Sequence, residues 1–200
     1  MKARRFTAMR ALLPGAALAL GALYCATAWY ALHPAVSREY DLYYLKHQLR
    51  TWPGNGGLAY RPGERIDFSR TLPWLSRIGW SDPEGWGTWT DGDSASLYLT
   101  LPGRPAGNMT LRVQGRGFVD ARHPVQSVRV VVNGIAVGAL AYASQDAKTQ
   151  TLTIPNRAFS GSNVEIDLIP ANPAKPSEGG ASQDTRRLGL GVASIELLPG

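Results

Sequence analysis

Between Gly79 and Gly92 the chain reads GWSDPEGWGTWTDG, which gathers Trp80, Trp86 and Trp89 with Asp82 and Glu84 in one turn-rich segment. Tryptophan pairs a large flat apolar face with an N–H donor at one edge, so such a cluster either stacks on a sugar ring or closes the end of a β-sandwich. The sequence leaves both uses open. The acids bring a second chemistry, because two carboxylates at a suitable separation are enough for glycoside hydrolysis. Asp82, Glu84, Asp91, Asp93 and Asp184 are the candidates. In loops rich in Gly and Ser, acids more often serve turn hydrogen bonds and caps. Glu84 has three conceivable partners, an indole N–H, a backbone turn or an arginine, and Arg186 or Arg187 could supply the last. The expected ligand-binding set is Trp80, Glu84, Trp86, Trp89, Asp184, Arg186 and Arg187, with no catalytic residue, metal ligand or cofactor.

Other enzyme chemistries lack their parts. The histidines are His33, His47 and His123, and no GxSxG elbow, HExxH pair or cysteine–histidine pair occurs. Asp91-Gly92-Asp93 has the spacing of a partial calcium loop without its downstream ligands, so its expected role is to turn the chain. The net charge of +6 invites a nucleic-acid reading, but setting aside Lys2, Arg4, Arg5 and Arg10 leaves 17 basic against 15 acidic residues. No basic stripe with interleaved aromatics remains, and no nucleic-acid partner is expected.

The elements that must hold these residues fall into two parts. No charged residue occurs from Ala11 to Leu32, a run that as a helix spans about 33 Å, the thickness of a bilayer's hydrocarbon core. The basic residues ahead of it orient residues 1–10 to the cytoplasm and send everything after Leu32 across the bacterial inner membrane, into the periplasm. Ala26-Thr27-Ala28 also spells a signal-peptide cleavage pattern, and both the retained anchor and the cleaved signal export the domain. Cys25 lies inside the apolar run, so the exported part has no disulfide. Residues 33–59 read as a membrane-proximal helix and linker: Ser37 is a possible cap, and Leu42, Leu45 and Leu49 share one helical face before Trp52, Pro53 and Gly54.

From about residue 60 to 200 the pattern becomes short alternating runs cut by Gly, Pro and Asn. Leu97, Leu99 and Leu101 face one way, with Tyr98 and Thr100 facing the other. Met109, Leu111 and Val113 repeat the pattern, as do Val128, Val130 and Val132 ahead of a two-residue hairpin turn at Asn133-Gly134. Further strands are expected at Leu152–Ile154, Val164–Leu168 and Leu188–Leu198. In the last, Leu188, Leu190 and Val192 share one parity and Ile195 and Leu197 the other, which calls for a bulge between Gly191 and Ser194. PANPAKPSEGGASQ before it is expected to be a polar, mobile connection. The fold class is all-β, an antiparallel, jelly-roll-like β-sandwich behind a single transmembrane helix and a short amphipathic helix.

The order IDFSRTLP, GWSDPEGWGTWTDG, ASLYLTLP, VRVVVNG and DTRRLGLGVASIEL, with PEGWGTW and DTRRLG its sharpest pieces, resembles the C-terminal β-sandwich domain of bacterial phosphoglycerol transferases over roughly residues 60 to 198. Those membrane enzymes decorate osmoregulated periplasmic glucans, and similar domains occur on other membrane proteins of cell-surface polysaccharide assembly. Their chemistry belongs to a separate metal-dependent domain whose histidine and aspartate clusters this sequence lacks. The resemblance therefore implies location and company, with Glu84, Trp86, Trp89, Asp184, Arg186 and Arg187 at the family-like positions. The expected function is a non-catalytic, membrane-anchored accessory or glycan-binding module acting on an envelope glycan. The alternative is a module that docks onto a membrane glycosyltransferase or phosphoglycerol transferase. A carboxylate glycosidase is the weaker third reading.

Overall fold

The computed structural model describes residues 3–33, 35–37, 40–47, 57–72, 79–180 and 182–200, with backbone alone for 3–13 and 42. The chain divides into two units, Met1–Ser37 and Arg38–Gly200. The first holds the helix α1 (Ala3–Leu32), with Pro14 inside it. Its stretch Pro14–Leu32 is the one helix among the described residues long and apolar enough to cross a membrane, and none of it is buried.

Where the amphipathic helix is expected, the described residues 40–45 are helical, Asp41–Leu45 being of π type, and Tyr40 supplies no side-chain cap. Short helices draw their stability from burial of one face. Here the side chain that finds a surface is Tyr43, packed against Tyr98, whereas Leu45 of the leucine stripe is exposed. Leu49 and residues 52–54 lie outside the described residues.

Among the described residues eleven strands follow: β1 (Leu58–Ala59), β2 (Arg65–Asp67), β3 (Gly79–Trp80), β4 (Thr88–Asp91), β5 (Ala95–Thr100), β6 (Met109–Gly117), β7 (Gln126–Val132), β8 (Ile135–Tyr142), β9 (Lys148–Ile154), β10 (Asn163–Pro170) and β11 (Leu188–Pro199). One sheet runs β1-β5-β10-β7-β8; the other runs β3-β4-β11-β6-β9, with β2 also on β11. The fold is the expected jelly-roll-like β-sandwich, whose first strand among the described residues is β1. Alternation fills its interior: Leu97, Leu111, Val130, Ile166 and Leu197 are all fully buried. Tyr98 departs from that pattern. Expected on the open face of β5, it is 1% exposed because Tyr43 covers it, and burial drives its phenol pKa upward.

Local signals set the register. Asn133 (φ 48°) and Gly134 (φ 80°) form the tight β7–β8 turn. The Asn133 amide also donates to the carbonyls of Ala158 and Asn163 and accepts the Glu165 N–H at 2.8 Å. On β11, Val192 pairs with Gly115 and Ser194 with Gln114, so Ala193 is the extra residue of a bulge that turns Ile195 and Leu197 inward. Along the other edge of β11 the same place marks the change of partner from β4 to β2.

The Pro-rich connection is more tightly held than its composition implied. Ala174 exchanges both backbone hydrogen bonds with Leu188 at 2.9 Å and is buried. A 3-10 turn follows at Pro176–Gly179, and the Ser177 N–H donates to the Asp184 carbonyl. This delivers residues 184–187 to the start of β11, beside the tryptophan turn.

Candidate functional site

The tryptophan turn is closed by its own backbone. Glu84 N–H donates to the Gly87 carbonyl at 2.7 Å and Gly87 N–H returns a bond to the Glu84 carbonyl at 3.0 Å, leaving Trp86 near the tip. Two glycines let this turn settle on the outer face of the six-stranded sheet. A Cβ at Gly87 would stand 2.3 Å from the Val192 carbonyl oxygen, and one at Gly191 would stand 2.5 Å from Cη2 of Trp86. In register, Gly191 lies opposite Trp89 on β4 and Arg116 on β6. With no side chain between them, the aromatic rings and the guanidinium meet above the glycine. Trp86 and Trp89 pack edge to face with centroids 5.3 Å apart, and Trp89 meets Phe118 in the same way at 6.2 Å. The Arg116 guanidinium carbon sits 3.4 Å from the Trp86 ring centroid, a close cation–π stack.

At the polar edge of the ring, Trp86 Nε1–H donates to Glu84 Oε2 at 2.8 Å. The other carboxylate oxygen of Glu84 accepts Arg186 Nη2 at 3.2 Å. Asp184 holds the same guanidinium, accepting Nη2 at 2.7 Å and Nε at 3.0 Å, and also takes the Arg186 backbone N–H at 3.0 Å. Hydrogen bonds from the Arg186 guanidinium hold the Asp184 carboxyl below the usual carboxylate range, outweighing its partial desolvation. The same contacts raise the pKa of Arg186. Two of the partners considered for Glu84, an indole N–H and an arginine, are thus both present, and a backbone bond closes its turn.

Two expected site residues do not belong to this surface. Trp80 is 4% exposed, donates its indole N–H to the Ser96 carbonyl at 2.9 Å and packs on Phe68 in the core, leaving no ring face for a ligand. Arg187 points instead to the β4–β5 turn. Its backbone N–H donates to Asp91 Oδ1 at 2.8 Å and its guanidinium pairs with the exposed Asp93 at 2.9 Å. Asp91 and Asp93 therefore tie down the turn around Gly92 (φ 114°). Trp89, 7% exposed, is the bed on which Trp86 rests rather than a contact surface. Asp82 is exposed.

Arg116, Phe118 and Gly191 are functional neighbours that sequence reasoning missed. The parity of β6 puts Arg116 opposite Leu111 and Val113 and hence on the outer face, a signal within reach. Its alignment with Gly191 and the tryptophan turn depends on a long-range register that one strand's pattern does not carry.

Chemically, the arrangement sets a half-buried indole beside ion-paired groups. Glu84 and Asp184 share one guanidinium, which engages both carboxylates in ion pairs. Among the described residues no three His, Cys, Asp or Glu side chains are grouped to hold a metal ion. Two grooves lie at the other end of the sandwich, where β6 begins. One, of about 490 Å³, is beside Asn133, Ser160, Ser162, Asn163 and Glu165; the other, of about 410 Å³, is beside residues 101–109.

A family model described as a domain of unknown function, DUF7024, matches residues 75–199. No curated protein matches the chain. Similar solved structures include the carbohydrate-binding module CBM36 in complex with calcium and xylotriose, at 16% identity over 67% of this chain and 98% of that one, with a TM-score of 0.40. They also include the C-terminal CBM6 of LamC from Zobellia galactanivorans, at 12% identity over 68% and 98% with a TM-score of 0.43. A third is CsCBM6-3 from Clostridium stercorarium in complex with cellobiose, at 11% identity over 73% and 99% with a TM-score of 0.40. Likeness of this degree transfers no ligand to this chain.

Proposed function

Since the chain belongs to the DUF7024 family, whose description assigns no activity, we propose from the site itself that it is a non-catalytic, membrane-tethered glycan-binding module of the bacterial cell envelope. The observation that carries this reading is the half-buried Trp86. Its indole is fixed at the N–H edge by Glu84, set edge to face against Trp89 above Gly191, and covered on one ring face by the Arg116 guanidinium, while part of the ring stays in solvent. A sugar ring needs such a pre-set apolar face with charged hydrogen-bonding groups at its rim, because a platform already held in place loses little entropy on binding. The tether is α1, retained through Pro14–Leu32, with Lys2, Arg4, Arg5 and Arg10 on the cytoplasmic side and the sandwich in the periplasm. The envelope context draws on the resemblance of PEGWGTW and DTRRLG to sandwich domains of phosphoglycerol transferases.

The test is calorimetric titration of the full chain, in nanodiscs of zwitterionic lipid, with glucan oligosaccharides. Saturable binding that is lost in Trp86→Ala and kept in the remote control Arg104→Ala is the expected result. A folded wild-type chain that gives no binding heat at millimolar oligosaccharide overturns the proposal.

A further inference from the structure

Not every arginine on the outer face of the six-stranded sheet has a hydrogen-bond acceptor, and the one without names a ligand class. Three arginines among the described residues are half-buried: Arg116, Arg186 and Arg187. Arg186 is clamped by Glu84 and Asp184, and Arg187 is paired with Asp93. Arg116 has no ion pair and no side-chain hydrogen bond to any described residue, and its Nε is buried without a partner. Its two terminal nitrogens are not among the buried atoms. The carboxylate nearest to Trp86 in the network, Glu84, is spent on the indole N–H and on Arg186.

A guanidinium partly withdrawn from water loses hydration that a stack on tryptophan returns only in part, since the ring face offers no acceptor for the N–H groups. What it leaves unfilled is its planar fork of donors, the group that matches a carboxylate or phosphate oxygen pair. The fork lies over the same indole that serves as the stacking platform, with the guanidinium carbon 3.4 Å from the ring centroid.

We propose that the ligand of this site is an anionic saccharide, one whose sugar rests on Trp86 while a carboxylate or phosphate substituent is received by Arg116. This rests on the glycan-binding reading and deepens it. The recognised unit is the sugar and its charge together, because the Arg116 guanidinium stacks directly on the Trp86 ring. Anion recognition here weakens as ionic strength rises, since Arg116 is only partly buried.

The experiment uses the full chain in zwitterionic nanodiscs and four probes: a neutral glucan oligosaccharide, an oligoglucuronate of matched length, the glucuronate monosaccharide and inorganic phosphate. The oligoglucuronate is expected to bind about tenfold or more tightly than the neutral oligomer, the size of one charge-assisted contact. Arg116→Gln is expected to erase that preference, and Arg116→Lys to restore part of it; near-ultraviolet circular dichroism verifies that both variants fold. Equal affinity for neutral and charged oligomers, or a preference that survives Arg116→Gln, overturns the anionic class while the glycan-binding reading stands. Phosphate or glucuronate binding as tightly as the oligomer overturns it too, leaving an anion site unconnected with sugar. Failure of both oligomers overturns the underlying reading itself.

Discussion

Gly191 does as much for the site as any side chain in it, because the aromatic and cationic groups meet only over a position with no Cβ. Gly191→Ala puts a methyl group 2.5 Å from Trp86 Cη2 and 3.0 Å from Trp89, backed by strand backbone on the other side. The ring must lift, so the variant should lose about 1–3 kcal/mol of stability and a large part of the near-ultraviolet dichroism of its tryptophans. A variant that melts like the wild type with an unchanged spectrum would show that Trp86 is not seated there. Asp184 makes a second prediction, in pH. Its native carboxyl titrates below the unfolded value, about 3.9, because Arg186 donates to it. The native state therefore binds fewer protons than the unfolded one in that window, and the stabilisation is complete above about pH 4 and lost as pH falls through the native pKa. Asp184→Asn should be less stable at pH 7 and lose less stability between pH 5 and 3, read from urea midpoints. Asp67 and Asp120 are depressed as well and keep a residual slope in the variant.

At the scale of elements, the β7–β8 turn joins more than two strands. The Asn133 side chain reaches the carbonyls of Ala158 and Asn163 and the N–H of Glu165, tying the hairpin to the loop that enters β10. Asn133→Ala should cost about 2 kcal/mol, from these bonds and from the positive φ that asparagine tolerates better than alanine; thermal denaturation measures it. Short-range patterns made this much readable in advance. Asn-Gly between alternating valines specified the turn, and the parity change between Val192 and Ile195 specified the bulge that forms at Ala193. Alternation set Tyr98 opposite Leu97 and Leu99, but its cover, Tyr43, comes from a segment whose leucine spacing gave no sign of that contact. Trp80 and Trp86 could not be told apart by sequence. Both stand in the same turn-rich stretch, and only long-range pairing decides which ring goes inward. Arg186 was legible as a partner for Glu84 through opposite charge, whereas Arg116 pairs with no acid and so left no charge signal.

For the whole molecule, the helix and the sandwich make separable demands. If α1 is retained as a span, the full chain should stay in the membrane pellet after alkaline carbonate extraction, and mass spectrometry of the purified chain should find residues before Ala28 still attached. A soluble product starting just after Ala28 would convert the span into a cleaved leader. The sandwich itself has unequal outer surfaces. The five-stranded sheet carries the chain's own Tyr43 on Tyr98, whereas the six-stranded sheet keeps part of Trp86 in solvent. The domain thus has a back and a front. A fluorophore or surface linker attached through Arg129, exposed on β7 of the back sheet, leaves the front open to analyte, while immobilisation through Arg112 on β6 would blind the sensor it was meant to build.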